Sequence, residues 1–430
     1  MDSNSKRSDV AIVGLGYVGL NLARVFSNHG HTVLGIDIDS TKISTLNSGR
    51  SPISELTHDD VSGMLSNWFQ VSSRYDSVAE ASAVIVTLPT PVTRDHTPNL
   101  APLLGGVDSL APHLRDRTLV VVESTVAPGT VTNDVLPVIE KHGKKLGQDF
   151  LLAFSPERVD PGGKNGKPEE VPKIVSGVDD ESLRAVTDLY ASIGLNLVQA
   201  RSVIDAESAK LLENTYRAVN IALVNELAPG LMKTGADISE VVRLASTKPF
   251  GFQAFYPGPG VGGHCIPIDP WYLEKAILEV GGSANLTKLS MFINKDMPRH
   301  VAKRISDIIN SRVAVKSIDK PVLLLGMSYK ADVDDFRESP GPELAQHLAD
   351  QQLRVGYHDP YLSEPLRELR DLTWEQDLHD APSRYGVCVV LQEHGEYTPV
   401  LEEWKRTDLL VINVGGPQRN GVPSIWDPRI

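Results

Sequence analysis

One cysteine in this chain is surrounded by residues that neither continue a helix nor fill a core. The stretch YPGPGVGGHCIPIDP, Tyr256 to Pro270, sets Cys265 among Gly258, Gly260, Gly262 and Gly263, with Asp269 four residues on. Nearby glycines let a bulky substrate reach the sulfur. His264, Asp269 and neighbouring amides can tune its acidity, as a nucleophilic thiol requires. The bland alternative is a small residue in a glycine-rich turn. Cys388, in YGVCVVL, lies instead in an apolar run and reads as a small hydrophobe. His264 reads as a structural group or hydrogen-bond donor. No His, Cys, Asp or Glu cluster has metal-ligand spacing, so no metal is expected.

A second pattern is GLGYVG, with Gly14, Gly16 and Gly19 between an apolar run and a helical one. Gly14 permits a tight turn, Gly16 lets a pyrophosphate approach the backbone, and Gly19 lets helix and strand pack closely. The helix N-terminus offers amides and a partial positive charge to phosphates. Asp37, at the end of the next strand, is placed to accept a ribose 2′-hydroxyl and repel a 2′-phosphate. NAD is therefore expected over NADP.

A third pattern is Lys210, Asn214 and Arg217, at i, i+4 and i+7 of a helical run. Such residues can form a solvated stripe. This run is apolar enough to be buried, however, and a buried lysine needs a partner or a role. Thr125 in ESTVAPGT and Glu157 in SPERVDPG lie at expected strand ends, where ligands bind in open α/β sheets and where loop capping is the alternative. A nicotinamide fold with a presented thiol suggests an enzyme that oxidises carbon twice. Hydride transfer makes an aldehyde, a thiolate traps it, and a second hydride transfer leaves a thioester for water to cleave.

These residues need elements to hold them. DVAIVGLGYVGLNLARVFSNHGHTVLGIDID reads as strand, turn, helix, strand; SAVIVTLPT, TLVVVEST and FLLAFSPE follow as further buried strands. From about Asp205 to Gly235 the pattern becomes one long helix, on the order of 45 Å at 1.5 Å per residue. KPVLLLGMSYK, LRVGYHDP, GVCVVLQ and DLLVINVGG begin a second α/β unit, with Ser339 and Pro340 as an N-cap and N1 pair. The expected fold class is α/β: two Rossmann-like doubly wound domains joined by a long central helix. The expected domains are an NAD-binding one over 1–200, a central helical one over 201–311 and a second α/β one over 312–430.

Composition narrows the partners. In 430 residues, 42 Lys and Arg stand against 55 Asp and Glu, a net charge of −13, which disfavours nucleic acid and anionic membranes. No apolar run approaches a membrane span, and the polar start lacks a signal-peptide core. Two cysteines form no disulfide framework, so a reducing, cytoplasmic setting is expected.

The motifs VAIVGLGYVGL, ESTVAPGT, SPERVDPG, ENTYRAVNIALVNEL, PGPGVGGHCIPIDP and GMSYKADVDDFRESP occur in that order from Val10 to about Val414. With them the chain resembles the UDP-glucose/GDP-mannose dehydrogenase family, NAD-dependent four-electron dehydrogenases of sugar nucleotides. The resemblance implies Cys265 as catalytic thiol with Asp269 beside it, and Lys210 and Asn214 stabilising oxyanion and alkoxide. It implies Thr125 and Glu157 ordering the hydrolytic water. It further implies a cofactor set of Gly14, Gly16, Tyr17, Val18, Gly19, Asp37, Thr90, Ser124, Thr125 and Arg337. The implied substrate set is Glu157, Arg158, Val159, Lys210, Asn214, Arg217, Tyr256, Gly258, Gly260, Gly262 and Lys330. Ile268 stands where the UDP-glucose branch has lysine, and Pro161 where it has a second glutamate. Both departures resemble the branch acting on UDP-N-acetylhexosamines. That branch implies C6 oxidation of UDP-N-acetylglucosamine, with UDP-N-acetylmannosamine or UDP-glucose as alternatives, and a homodimer or larger homo-oligomer. A two-electron alcohol dehydrogenase and an inactive sugar-nucleotide sensor are the rival readings.

Overall fold

Runs of Val, Ile and Leu that can be buried on both faces form parallel strands with helices over them, and this chain builds two such sheets. The computed structural model describes residues 8–53, 56–93, 95–115, 117–158, 171–313, 321–415 and 422–430. The chain divides into two compact units, Met1–Glu213 with Trp271–Gly282, and Asn214–Pro270 with Ser283–Ile430.

In the first unit the strands are β1 (Ser8–Val13), β2 (Val33–Ile36), β3 (Phe69–Ser72), β4 (Ala81–Val86), β5 (Thr118–Val122), β6 (Phe150–Phe154), β7 (Lys173–Gly177) and β8 (Leu197–Gln199). They lie in the order β3-β2-β1-β4-β5-β6-β7-β8. Only the β6–β7 pairing among them is antiparallel. Strand order turns back between β1 and β4, so a ligand crevice is expected beyond their carboxyl ends. Alternate residues serve two cores: Val84 and Val86 face one layer, Ile85 the other. Each such fully buried side chain stabilises by about 1.5–3 kcal/mol.

In the second unit β9 (Val322–Leu325), β10 (Val355–His358), β11 (Thr373–Trp374), β12 (Val387–Val390) and β13 (Leu410–Asn413) form an all-parallel sheet ordered β11-β10-β9-β12-β13. Helix Pro340–Asp350 starts as its sequence requires, with the Ser339 side chain accepting from the Gly341 amide. Helix Asn285–Val313 supplies Met297, Val301 and Ile305 to the same core as Leu344 and Leu348.

The long helix runs Val203–Lys233, 31 residues, or about 46 Å at 1.5 Å per residue. Its residues up to Glu213 belong to the first unit and those from Asn214 to the second.

Candidate active site

The first unit carries a tight glycine turn between β1 and the helix that follows it. Gly14 sits at φ 99°, and a Cβ there would lie 2.8 Å from the Thr87 carbonyl oxygen. A Cβ on Gly19 would lie 2.0 Å from the Gly14 carbonyl oxygen, so helix and turn touch backbone to backbone. Nothing lies within 4 Å of a Cβ built on Gly16. Gly16 is the N-cap of helix Tyr17–Asn28, which has no side-chain cap and no acid in its first turn. Half-buried Tyr17 and Val18 and buried Gly19 therefore open the helix with amides suited to an anion.

Asp37 follows β2 and is tightly engaged. Its Oδ2 accepts from the Leu15 amide at 2.9 Å and from Lys42 Nζ at 2.6 Å, and its Oδ1 from the Asp39 amide at 2.9 Å. Burial alone would raise its pKa; the Lys42 ammonium and the two amides outweigh that and hold it below the usual carboxylate value. Lys42 escaped the sequence reading. It sets a positive charge directly against the Asp37 carboxylate.

The strand ends are tied together. Thr90 Oγ1 donates to the Thr125 carbonyl at 2.6 Å, and Ser124 Oγ to the Leu88 carbonyl at 2.7 Å. The loop after Thr125 is held by Glu207, a buried side chain from the long helix that accepts from the amides of Gly129 at 2.5 Å and Val131 at 2.9 Å. Burial pushes its carboxyl up to about 7, against those two hydrogen bonds and with help from Asp134.

Glu157 and Arg158 close the end of β6. Arg158 donates to both oxygens of Glu213, at 3.2 and 2.6 Å, and to the Pro172 carbonyl at 2.6 Å. Glu157 Oε1 accepts from the Arg158 amide at 2.7 Å, and its Oε2 lies 3.9 Å from Lys173 Nζ. Val159 and Pro161 lie outside the described residues.

Lys210 and Asn214 are 9% and 4% exposed, and Lys210 has no hydrogen-bond or ion-pair partner among the described residues. The solvated-stripe alternative fits Arg217, which is exposed, and not the other two.

In the second unit, Asn214 Nδ2 donates to Asp269 Oδ2 at 2.6 Å. Asp269 is 1% exposed and opens helix Asp269–Glu279. Its amide donates to the Cys265 carbonyl at 2.8 Å. Cys265 itself is half-buried, while burial pushes the thiol of Cys388 far above its ordinary value. The loop before Cys265 packs on the segment after β9. A Cβ on Gly262 would lie 2.6 Å from Tyr329 Cβ, and the Gly263 amide donates to the Arg337 carbonyl at 3.1 Å.

Arg337 is fixed by Asp335, which accepts from its Nη2 at 2.6 Å and its Nε at 2.9 Å. Those hydrogen bonds raise the guanidinium pKa, and the charge of Cys265 adds to the shift. His264 Nδ1 stands 3.6 Å from Asp335 Oδ2.

The rest of the expected substrate set lies on supports that the sequence reading missed. Asn225 Oδ1 accepts from the Gly258 amide at 2.9 Å, and Asn225 Nδ2 donates to Asn294 at 3.0 Å. Gly260 and half-buried Tyr256 belong to the same loop. Lys330 lies on a turn whose Ser328 Oγ donates to the Lys330 carbonyl at 3.0 Å. Buried His394 supports this turn: its Nδ1 accepts from the Asp332 amide at 2.9 Å, which leaves the proton on Nε2, 3.1 Å from Asp359 Oδ2. Among the described residues no group of three or more His, Cys, Asp or Glu could hold a metal, and no helix is long and apolar enough to cross a membrane.

A glycine cradle at a strand-order switch point, an acid ending β2 and a presented thiol define a dinucleotide-dependent α/β oxidoreductase. The chain belongs to the UDP-glucose/GDP-mannose dehydrogenase family, whose NAD binding domain matches residues 8–194, central domain 204–296 and UDP binding domain 323–413. It is 33% identical over 396 residues to UDP-N-acetyl-D-glucosamine 6-dehydrogenase of Pseudomonas aeruginosa, covering 91% of this chain and 89% of that one. To UDP-N-acetyl-D-mannosamine dehydrogenase of Methanocaldococcus jannaschii it is 32% identical over 404 residues, 92% of this chain and 88% of that one. A solved UDP-D-ManNAc dehydrogenase from Pyrococcus horikoshii superposes with a TM-score of 0.84 at 27% identity, covering 98% of this chain and 100% of that one. NAD is the cofactor of the family's first domain, and the last is a UDP-sugar-binding domain.

Proposed function

We propose that the protein oxidises the C6 alcohol of a UDP-N-acetylhexosamine, foremost UDP-N-acetylglucosamine, to the carboxylate. The observation that carries this reading is Lys210, a buried lysine without a hydrogen-bond or ion-pair partner among the described residues. It lies one helical turn before Asn214, whose amide holds the carboxylate that follows Cys265.

Bound NAD supplies a hydride acceptor, and two are consumed per sugar. Gly14, Gly16, Gly19, Tyr17 and Val18 hold its pyrophosphate, Asp37 its ribose, and Thr90, Ser124, Thr125 and Arg337 complete the set. Asp269, through Lys210 or a water, takes the proton of the C6 hydroxyl. Lys210 and Asn214 stabilise the alkoxide and later the oxyanion. Cys265 as thiolate bonds to the aldehyde carbon, giving a thiohemiacetal whose oxidation leaves a thioester. Thr125 and Glu157 order the water that cleaves it. Arg158, Val159, Arg217, Tyr256, Gly258, Gly260, Gly262 and Lys330 complete the substrate set, and the working segments are 1–200, 201–311 and 312–430. A free catalytic thiol suits a reducing compartment, the cytoplasm. Exposed Tyr216, Leu223 and Leu227 on the long helix, with Leu286, Leu289 and Phe292 on helix Asn285–Val313, support a homodimer.

UDP-N-acetylmannosamine is the second reading, because relatives of near-equal identity bear that sugar's name. The test is kcat/KM with NAD for UDP-N-acetylglucosamine, UDP-N-acetylmannosamine and UDP-glucose. UDP-N-acetylglucosamine should lead; a lead for UDP-glucose would overturn the N-acetylhexosamine assignment.

A further inference from the structure

The first unit buries one cation between two carboxylates. Lys173, at the start of β7, places Nζ 3.0 Å from Glu123 Oε1 and 3.9 Å from Glu157 Oε2. Its ammonium also stands over the Tyr190 ring, 4.8 Å from the centroid, while the Tyr190 hydroxyl donates to Glu123 Oε1. Glu123, Lys173 and Tyr190 are all buried; Glu157 is the member that reaches solvent, with 25% of its side chain exposed.

Charge accounting gives this cluster a direction. One ammonium can neutralise one carboxylate, and a buried charge is retained only when paired. Glu123 makes the short contact and is sealed from water, so it is the partner that balances Lys173. Glu157 takes the longer contact with the same ammonium and is the carboxylate of the pair that water can reach. Its Oε1 accepts from the Arg158 amide at 2.7 Å, and its Oε2 lies 3.9 Å from the ammonium.

We propose that Lys173, braced by Glu123 and Tyr190, is the positioning residue that aims Glu157 as the base for thioester cleavage. The inference rests on the thioester reading above and on Glu157's place in it. In that step a water oxygen bonds to the thioester carbon as Glu157 takes one of the water's protons. The carbon–sulfur bond then breaks with its electron pair on the Cys265 sulfur. Glu157 returns its proton to that thiolate, and the acid product releases its own to solvent as it becomes the carboxylate. A single aimed carboxylate suffices, which answers why proline at position 161, where the UDP-glucose branch has a second glutamate, is tolerated.

The step-specific readout is the covalent thioester. The full chain would be mixed with NAD and UDP-N-acetylglucosamine, or UDP-N-acetylmannosamine, quenched in acid and weighed by intact-protein mass spectrometry. Lys173→Met should lower kcat roughly a hundredfold, the cost of a catalytic group misplaced by about 1 Å. KM for the sugar nucleotide should stay within about twofold, and an adduct should accumulate on Cys265. Glu123→Gln/Lys173→Met removes the ammonium without stranding a buried carboxylate, so it keeps the test available if the single variant fails to fold. Glu157→Gln should accumulate the same adduct, and adding Lys173→Met to it should slow the step no further. If Glu157→Gln accumulates adduct while both Lys173 variants turn over with normal kcat, the positioning role is refuted and the parent reading stands. If Glu157→Gln itself accumulates none and keeps its kcat, the parent reading falls and takes this inference with it.

Discussion

Replacing Glu207 by glutamine should change how stability depends on pH, and the size of the change can be worked from the fold. The carboxyl moves from an ordinary 4.5 to about 7 in the folded protein, because its burial is only partly offset by the amides of Gly129 and Val131 and Asp134 adds repulsion. A carboxyl with a raised pKa binds its proton more tightly when folded, so its contribution to stability is fully present below pH 4.5 and lost as pH climbs to about 7. At about 1.4 kcal/mol per pKa unit the loss is about 3 kcal/mol. Glutamine does not titrate, and its single carbonyl oxygen serves only one of the two amides, leaving a buried donor at a cost of about 1–3 kcal/mol. Glu207→Gln should therefore be the less stable form near pH 5 and should draw level with, or pass, the parent above pH 8. The assay is urea unfolding of both proteins at matched pH values across that range, read as the difference between their unfolding free energies. A difference that stays constant with pH would refute the reasoning.

Asp37→Ala should weaken NAD binding and narrow the NAD-to-NADP preference, with Lys42 left to attract the 2′-phosphate; an unchanged ratio of kcat/KM values would remove Asp37 from the ribose site. Lys210→Ala should lower kcat roughly 10²- to 10³-fold with little change in sugar-nucleotide KM, since the cation is needed where oxyanion charge develops; near-normal kcat would return Lys210 to a packing role. Gly262→Ala forces a methyl to within 2.6 Å of Tyr329 Cβ, and a melting scan should show a loss of about 1–3 kcal/mol. Cys265 should be alkylated by iodoacetamide well before Cys388, whose thiol is sealed in the core, with UDP-sugar protecting the former; peptide mapping reads the order.

The parts of this molecule that were legible beforehand are those that local chemistry dictates. GLGYVG follows β1 and opens its helix, Ser339 caps Pro340–Asp350, and the helix expected over Asp205 to Gly235 runs Val203–Lys233. Short strands without period or full burial escaped: β8 spans three residues and is largely exposed, and β11 spans two. β7 begins with a lysine, which breaks the apolar pattern of a buried strand, and only the fold sets Glu123 beside it. The missed supports share one cause. Glu207 reaches back 78 residues to Gly129, His394 reaches 62 to Asp332, and Asn225 reaches 33 to Gly258. Each is an ordinary polar residue in its own segment and gains its role only when topology delivers a partner. Arg217 shows the converse, since helical spacing put it with Lys210 and Asn214 but burial does not extend to it.

The central claim is that Cys265 carries the sugar between two oxidations, and the direct measurement is NADH formed per sugar nucleotide consumed, in the parent and in Cys265→Ser. The account predicts two NADH per sugar with no free aldehyde in the parent. In Cys265→Ser it predicts steady-state turnover collapsed while NAD and UDP-sugar binding persist, because a serine hydroxyl is a far weaker nucleophile at neutral pH. Two NADH per sugar at an undiminished rate in Cys265→Ser would contradict it.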